Sequence, residues 1–178
     1  MGVGPILDLG SPTSILTSTI DYAGAFPLLP SKSCSVIVLA KPLKTSAHLA
    51  YNRQFVYSTF EVQLLQVLKG ASKKQGIVEG GQMIAAQLGG GVRFASGHQV
   101  DAMEANEGFL EIGKEYLLFL WKPVKSSDTY MTADAYVLED GRVYAITVHS
   151  NESRYDGTPA EDFLRKVKQA IAKNIDSD

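Results

Sequence analysis

The chain has 178 residues, of which 45% are hydrophobic and 20% charged, a composition that supports one globular domain with a packed core and excludes global disorder. Seventeen Lys and Arg stand against nineteen Asp and Glu, so a formal charge of -2 supplies no overall attraction to nucleic acid or to an anionic membrane. The single cysteine, Cys34, excludes an internal disulfide and a four-cysteine zinc site, and no apolar run reaches the roughly 18 residues that a membrane-spanning helix needs.

Residues 1–33 carry four of the seven prolines and a single basic residue, Lys32, and read as an N-terminal arm. A short helix within residues 14–22 is weakened by its β-branched content. The arm lacks the basic region and compact apolar stretch of a secretory leader, so the sequence leaves open a cytoplasmic chain or one whose leader was removed.

Residues 34–150 read as strands. SVIVLAK from Ser35 is a buried strand closed by Lys41 and Pro42, and residues 43–54, LKTSAHLAYNRQ, read as a polar connection. FVYSTFEVQLLQVLKG is the strongest strand pattern, with Val56, Phe60, Val62 and Leu64 on one face and Tyr57, Thr59, Glu61 and Gln63 on the other. Its alternation slips near Leu64 and Leu65, as at a bulge. QMIAAQL follows, closed by Gly89 to Gly91; residues 95–115 form a long connection, and YLLFLW is a second continuous apolar strand. Residues 130–138 and 143–148 make two more, joined by Glu139-Asp140-Gly141-Arg142 with the Asp-Gly pattern of a tight hairpin.

Residues 151–178 end the chain with a helix packed on the barrel. Thr158 is placed to cap it, Pro159 to open it and Glu161 to complete the cap, while Phe163, Leu164, Val167, Ala170 and Ile171 share one face. The resulting fold class is mainly β: a five- or six-stranded, mostly antiparallel OB-like barrel with a C-terminal α-helix.

QLGGGVRF at residues 87–94 poses a choice between a phosphate loop and a turn. No Lys-Ser/Thr pair follows the glycines and β-prone VRF continues the chain, so the turn is expected, with Arg93 a surface charge available for binding. His98, Asp101, Glu104 and Glu107 recur every three residues and would line one face if the segment were helical; His98, Asp101 and Glu104 are then a candidate metal set. Against that stands a solvated polar loop. Cys34, with His48, His98 or His149 as base, is a candidate nucleophile, although a lone cysteine before an apolar strand packs as a small hydrophobe. Tyr57 with Phe55, Arg53, Lys69, Lys73 and Lys74 offers a stacking surface for single-stranded nucleic acid or an oligosaccharide, opposed by a pI of about 5.9. No catalytic motif and no cofactor motif is present, and no cofactor is expected.

The order of Cys34-SVIVLAK, YSTFEVQLLQVLKG, GGQMIAA and FLEIGKEYLLFL resembles the netrin-module and tissue-inhibitor-of-metalloproteinases type of OB-fold barrel, and its uncharacterised bacterial relatives. The resemblance covers residues 33–148, with VLKG and IGKEYLLFL its most specific parts. Those inhibitors chelate zinc through an N-terminal cysteine and are stapled by disulfides. Cys34 is internal and has no partner, so metalloproteinase inhibition does not carry over. The resemblance implies a secreted or periplasmic barrel that binds another protein through its loops or sheet face. The architecture adds the expectation of a non-enzymatic module whose contact surfaces are the arm before Ser35 and the 95–115 loop, the long connections on a rigid barrel.

Overall fold

The computed structural model describes residues 13–17, 29–51, 55–103, 108–123, 128–146 and 152–176. In chain order the elements are β1 (Thr13–Thr17), β2 (Val36–Leu49), β3 (Val56–Lys69), β4 (Gln82–Leu88), β5 (Gly90–Arg93), β6 (Gln99–Met103), β7 (Glu115–Trp121), β8 (Thr129–Glu139), β9 (Arg142–Ala145), β10 (Thr158–Pro159) and helix α1 (Ala160–Lys173). Five of them form a ring. β2, β3 and β4 follow one another as antiparallel neighbours, and β7 returns to lie antiparallel on the other edge of β2, a Greek key. β8 runs antiparallel to β7 and closes the ring by pairing parallel to β4, Ile84 with Thr129 through Ala86 with Met131. This is the expected OB-like barrel with its C-terminal helix.

The apolar runs are explained by two cores. Inside the ring lie Val36, Val38, Phe60, Val62, Leu64, Met83, Leu118 and Leu120. Outside it, between the barrel wall and α1, lie Ile37, Leu117, Phe119, Tyr136, Val143, Tyr155, Phe163 and Val167. β2 at its start and β7 are therefore buried on both faces, which is why VIV and YLLFL show no polar alternation. Tyr136 is the hub of the outer core, with the Phe163, Phe119 and Tyr155 rings at 4.7, 6.2 and 6.4 Å.

β3 keeps the predicted alternation from Val56 to Leu64, with the first, third and fifth positions inward. The slip at Leu64 and Leu65 is a bulge: Ala40 pairs with Leu64 and Leu39 with Gln66, so Leu65 has no partner on β2. At Asp140 and Gly141 the backbone takes φ of 50° and 73°, the two positive values that the Asp-Gly hairpin requires.

Four expectations are corrected. β2 does not close at Lys41 and Pro42 but runs on to Leu49 through the segment read as a polar connection. Pro42 costs no ladder bond because pairing with β7 has already ended at Ala40, and its carbonyl accepts from the Gly113 N–H at 3.0 Å while Leu43 is bulged out. Residues 14–17, read as part of a weak helix, belong to the strand Thr13–Thr17, and residues 18–22 lie outside the described residues. The 95–115 connection contains β6, which with β5 and β1 makes a second, three-stranded sheet in addition to the five-stranded barrel. Thr158 is not the helix cap: it pairs with Val143, Pro159 occupies the cap, and the Ala160 N–H donates to the Gly141 carbonyl at 2.8 Å. Of the strand read at residues 143–148, β9 covers the part to Ala145, and residues 147 and 148 lie outside the described residues.

The segment entering β2 is tied to the end of the described chain. Asp176 accepts from the Lys32 and Ser33 N–H groups at 2.7 and 3.1 Å and from the Ser33 hydroxyl at 2.8 Å, while Lys69 donates to the Ser31 carbonyl at 2.6 Å. Burial pushes the Asp176 carboxyl up, but the hydrogen bonds from Ser33 and Lys32 outweigh it and hold the group below its usual value. Its stabilising contribution is therefore full above the unfolded-state pKa and is lost as pH falls through the folded one. Asp176→Ala is expected to lower the urea midpoint at about pH 7 and to lose less at about pH 2, where wild type has lost the same contacts. Equal losses at both pH values would show that the contacts do not depend on ionisation.

Candidate functional site

The glycines of QLGGGVRF turn the chain out of the barrel wall. β4 ends at Leu88, and Gly89 and Gly90 take φ of 94° and 124°, which side-chain-bearing residues rarely adopt. The Gly89 N–H donates to the Val56 carbonyl at 2.7 Å, and the buried Ser58 hydroxyl donates to the Gly89 carbonyl at 2.9 Å. A Cβ on Gly90 would run into that hydroxyl. The chain continues as strand β5, so no helix N-terminus gathers N–H groups for a phosphate and the turn reading holds.

Arg93 is an exposed strand residue paired with Gln99. His98 ends the turn into β6, its carbonyl accepting from the Phe94 N–H at 2.8 Å and its ring 6.2 Å from that of Phe94. Asp101 lies on β6 opposite Gly91, with its carboxylate oxygens each 2.9 Å from Gln99 Nε2. The helical face that would have aligned His98 with Asp101 does not form. Along an extended chain residues three apart point to opposite sides. Glu104 and Glu107 lie outside the described residues, and among the described residues no group of three His, Cys, Asp or Glu side chains is placed to hold a metal ion.

Cys34 is packed in the outer core at 1% exposure, and burial, with the charge of Asp134 adding to it, pushes its thiol up to about 12. A thiol so protonated is a poor nucleophile. His48 sits on the second half of β2, engaged by Thr59 and Tyr57, and His149 lies outside the described residues.

Tyr57 does sit in an aromatic group. Its ring stacks on His48 at 5.1 Å and 25°, with Phe55 6.4 Å away, and His48 Nε2 is 2.8 Å from the Thr59 hydroxyl. These side chains belong to an outward row across the β2–β3 pair: His48 opposite Tyr57, Ser46 opposite Thr59, and Lys44 opposite Glu61, the last bridged at 3.2 Å. At the tip of the hairpin Tyr51 is fully exposed and Phe55 partly so. The basic residues grouped with Tyr57 in the sequence are elsewhere. Lys69 is at the far end of the 14-residue β3, bonded to Ser31, Lys73 and Lys74 lie beyond it, and Arg53 is outside the described residues.

One structural feature of this face has no hydropathy signal. β2 pairs with β7 only from Val36 to Ala40, so beyond the bond from Gly113 to Pro42 its outer edge has no strand partner among the described residues. Residues 44–49 present that edge beside the Tyr57 and His48 rings, exposed or half-buried. In comparison with known proteins, the chain matches no protein-family model and no curated protein.

Gly90→Ala is expected to cost roughly 2–4 kcal/mol in urea denaturation, because backbone strain adds to displacement of a buried, bonded hydroxyl, against about 1 kcal/mol for Gly97→Ala, which meets open space. Equal costs would remove the close-approach argument. Iodoacetamide at about pH 8 is expected to leave Cys34 unmodified in the folded chain and to label it fully in urea, read by mass spectrometry.

Proposed function

We propose that this chain is a non-enzymatic binding module working outside the cytoplasm, and that it holds an extended segment of another protein along the outer edge of β2. The observation that carries this reading is the outer edge of residues 44–49, which has no strand partner among the described residues and lies beside the His48, Tyr57 and Phe55 rings. Main-chain groups on a sheet edge give affinity for an added strand, and neighbouring aromatic side chains give selectivity for its residues. The netrin-type resemblance of residues 33–148 points to the same class of role, and among the described residues no helix is long and apolar enough to cross a membrane. Of the arm and the 95–115 loop, the surfaces expected from the sequence, some described parts engage the rest of the chain: Leu29 and Ser31 are buried, and β1 pairs with β6.

A partner captured from cell-envelope or culture-supernatant fractions is expected to slow amide hydrogen exchange in residues 44–49, and Tyr57→Ala to weaken it by about ten-fold without lowering the melting temperature. Protection confined to other strands, with Tyr57→Ala binding normally, would sink the edge reading. The stacked rings favour a second reading, single-stranded nucleic acid or an oligosaccharide on the same face. It predicts binding of an oligothymidylate or a glycan lost in Tyr57→Ala; a steep fall with salt marks the nucleic acid.

A further inference from the structure

We propose that two copies of this chain exchange β1, each lending Thr13–Thr17 to the β6 edge of the other. The β5–β6 hairpin is a fixed platform. Gly90 seats it against Ser58 and Ala47 on the β2–β3 pair, β5 occupies one side of β6, and the other side of β6 is an open ladder edge that β1 fills. The pairing is parallel and in register over five residues, Thr13 with Gln99 through Thr17 with Met103. Among the described residues β1 belongs to no other pairing, and the five-stranded ring closes its own hydrogen bonding without it.

A strand joined to a platform by one ladder is recognised through main-chain groups, and an identical strand from a second copy satisfies them in the same register. The connection is long enough to deliver it. Residues 18–28 separate β1 from Leu29, and an extended chain of that length reaches about 40 Å, against a radius of gyration of about 16 Å for a globular chain of this size. Exchange of one element in both directions produces a closed two-fold dimer in which the β6 edge of each copy is filled. Within one chain the arm competes at an effective concentration on the order of mM, so the exchanged form accumulates as protein concentration approaches that range.

The test uses full chains carrying Cys34→Ala. Chains with Ser14→Cys are mixed with chains carrying Val100→Cys, its register partner, at about 1 mM and oxidised with glutathione disulfide. The expected result is an interchain disulfide dimer about ten-fold more abundant than in a mixture of Ser14→Cys with Arg93→Cys, whose cysteine lies on the next strand. The double variant Ser14→Cys/Val100→Cys, oxidised at about 1 μM, is expected to close within one chain. Circular dichroism confirms that each variant is folded. Two outcomes overturn the proposal. If the diluted double variant closes but the mixture gives no excess over the control, β1 does not leave its own chain; if the double variant does not close, the β1 register itself is wrong. Neither outcome bears on the β2 edge, which is read by exchange in residues 44–49.

Discussion

The short parallel contact between β4 and β8 is the constraint on which the barrel depends. Three residue pairs close the ring, and to supply them β8 must serve several neighbours along its length. Its first residues pair with β4, its body pairs with β7, and its last residues pair with β9. A register shift opposite Phe119 and Leu120 bends it between these duties. Closure turns one face of each ring strand inward to form the first core. The overrun of β8 past the ring then carries β9, β10 and α1, and places Tyr136 where the second core forms.

β2 meets the opposite demand. It is needed by β7 only at its start, yet it is as long as β3, so its second half extends past the ring with β3 on one side and no strand among the described residues on the other. Such an edge invites uncontrolled pairing. Pro42, the bulged Leu43 and the charges of Lys41 and Lys44 lie where that edge begins, the devices by which sheet proteins restrict edge pairing. An edge restricted at its root and bordered by aromatic side chains at its tip is suited to selective rather than general strand addition. Because the ring is complete without it, occupation of this edge requires no change in the core.

Legibility in the sequence followed burial. Where a strand has one wet and one dry face, as β3 does from Val56 to Leu64, period-two alternation is written in the side chains; where both faces are dry, as in β7, a continuous apolar run is. The second half of β2 is exposed or half-buried throughout and so carries no apolar signal, and its LKTSAHL resembles a loop. β6 failed to register for the same reason: Gln99 and Asp101 are held by ladder bonds and by each other, neither of which hydropathy records. Of the candidate site, Tyr57 was legible as an outward aromatic on a strand, but His48 was not, because it joins Tyr57 only through the β2–β3 register.

The sequence by itself determined a mainly β chain with a bulged long strand, an Asp-Gly hairpin, a glycine turn in place of a phosphate loop and a C-terminal amphipathic helix. Each of these follows from local rules: side-chain periodicity, the φ values open to glycine, and the helical spacing of Phe163, Val167 and Ala170. Only the tertiary structure decided that β8 reaches back to β4, that Cys34 lies under α1 and that the arm supplies β1 to β6. These are contacts between segments far apart in the chain, fixed by backbone hydrogen bonds and by which surfaces the closed ring leaves to cover, and backbone groups are the same in every residue.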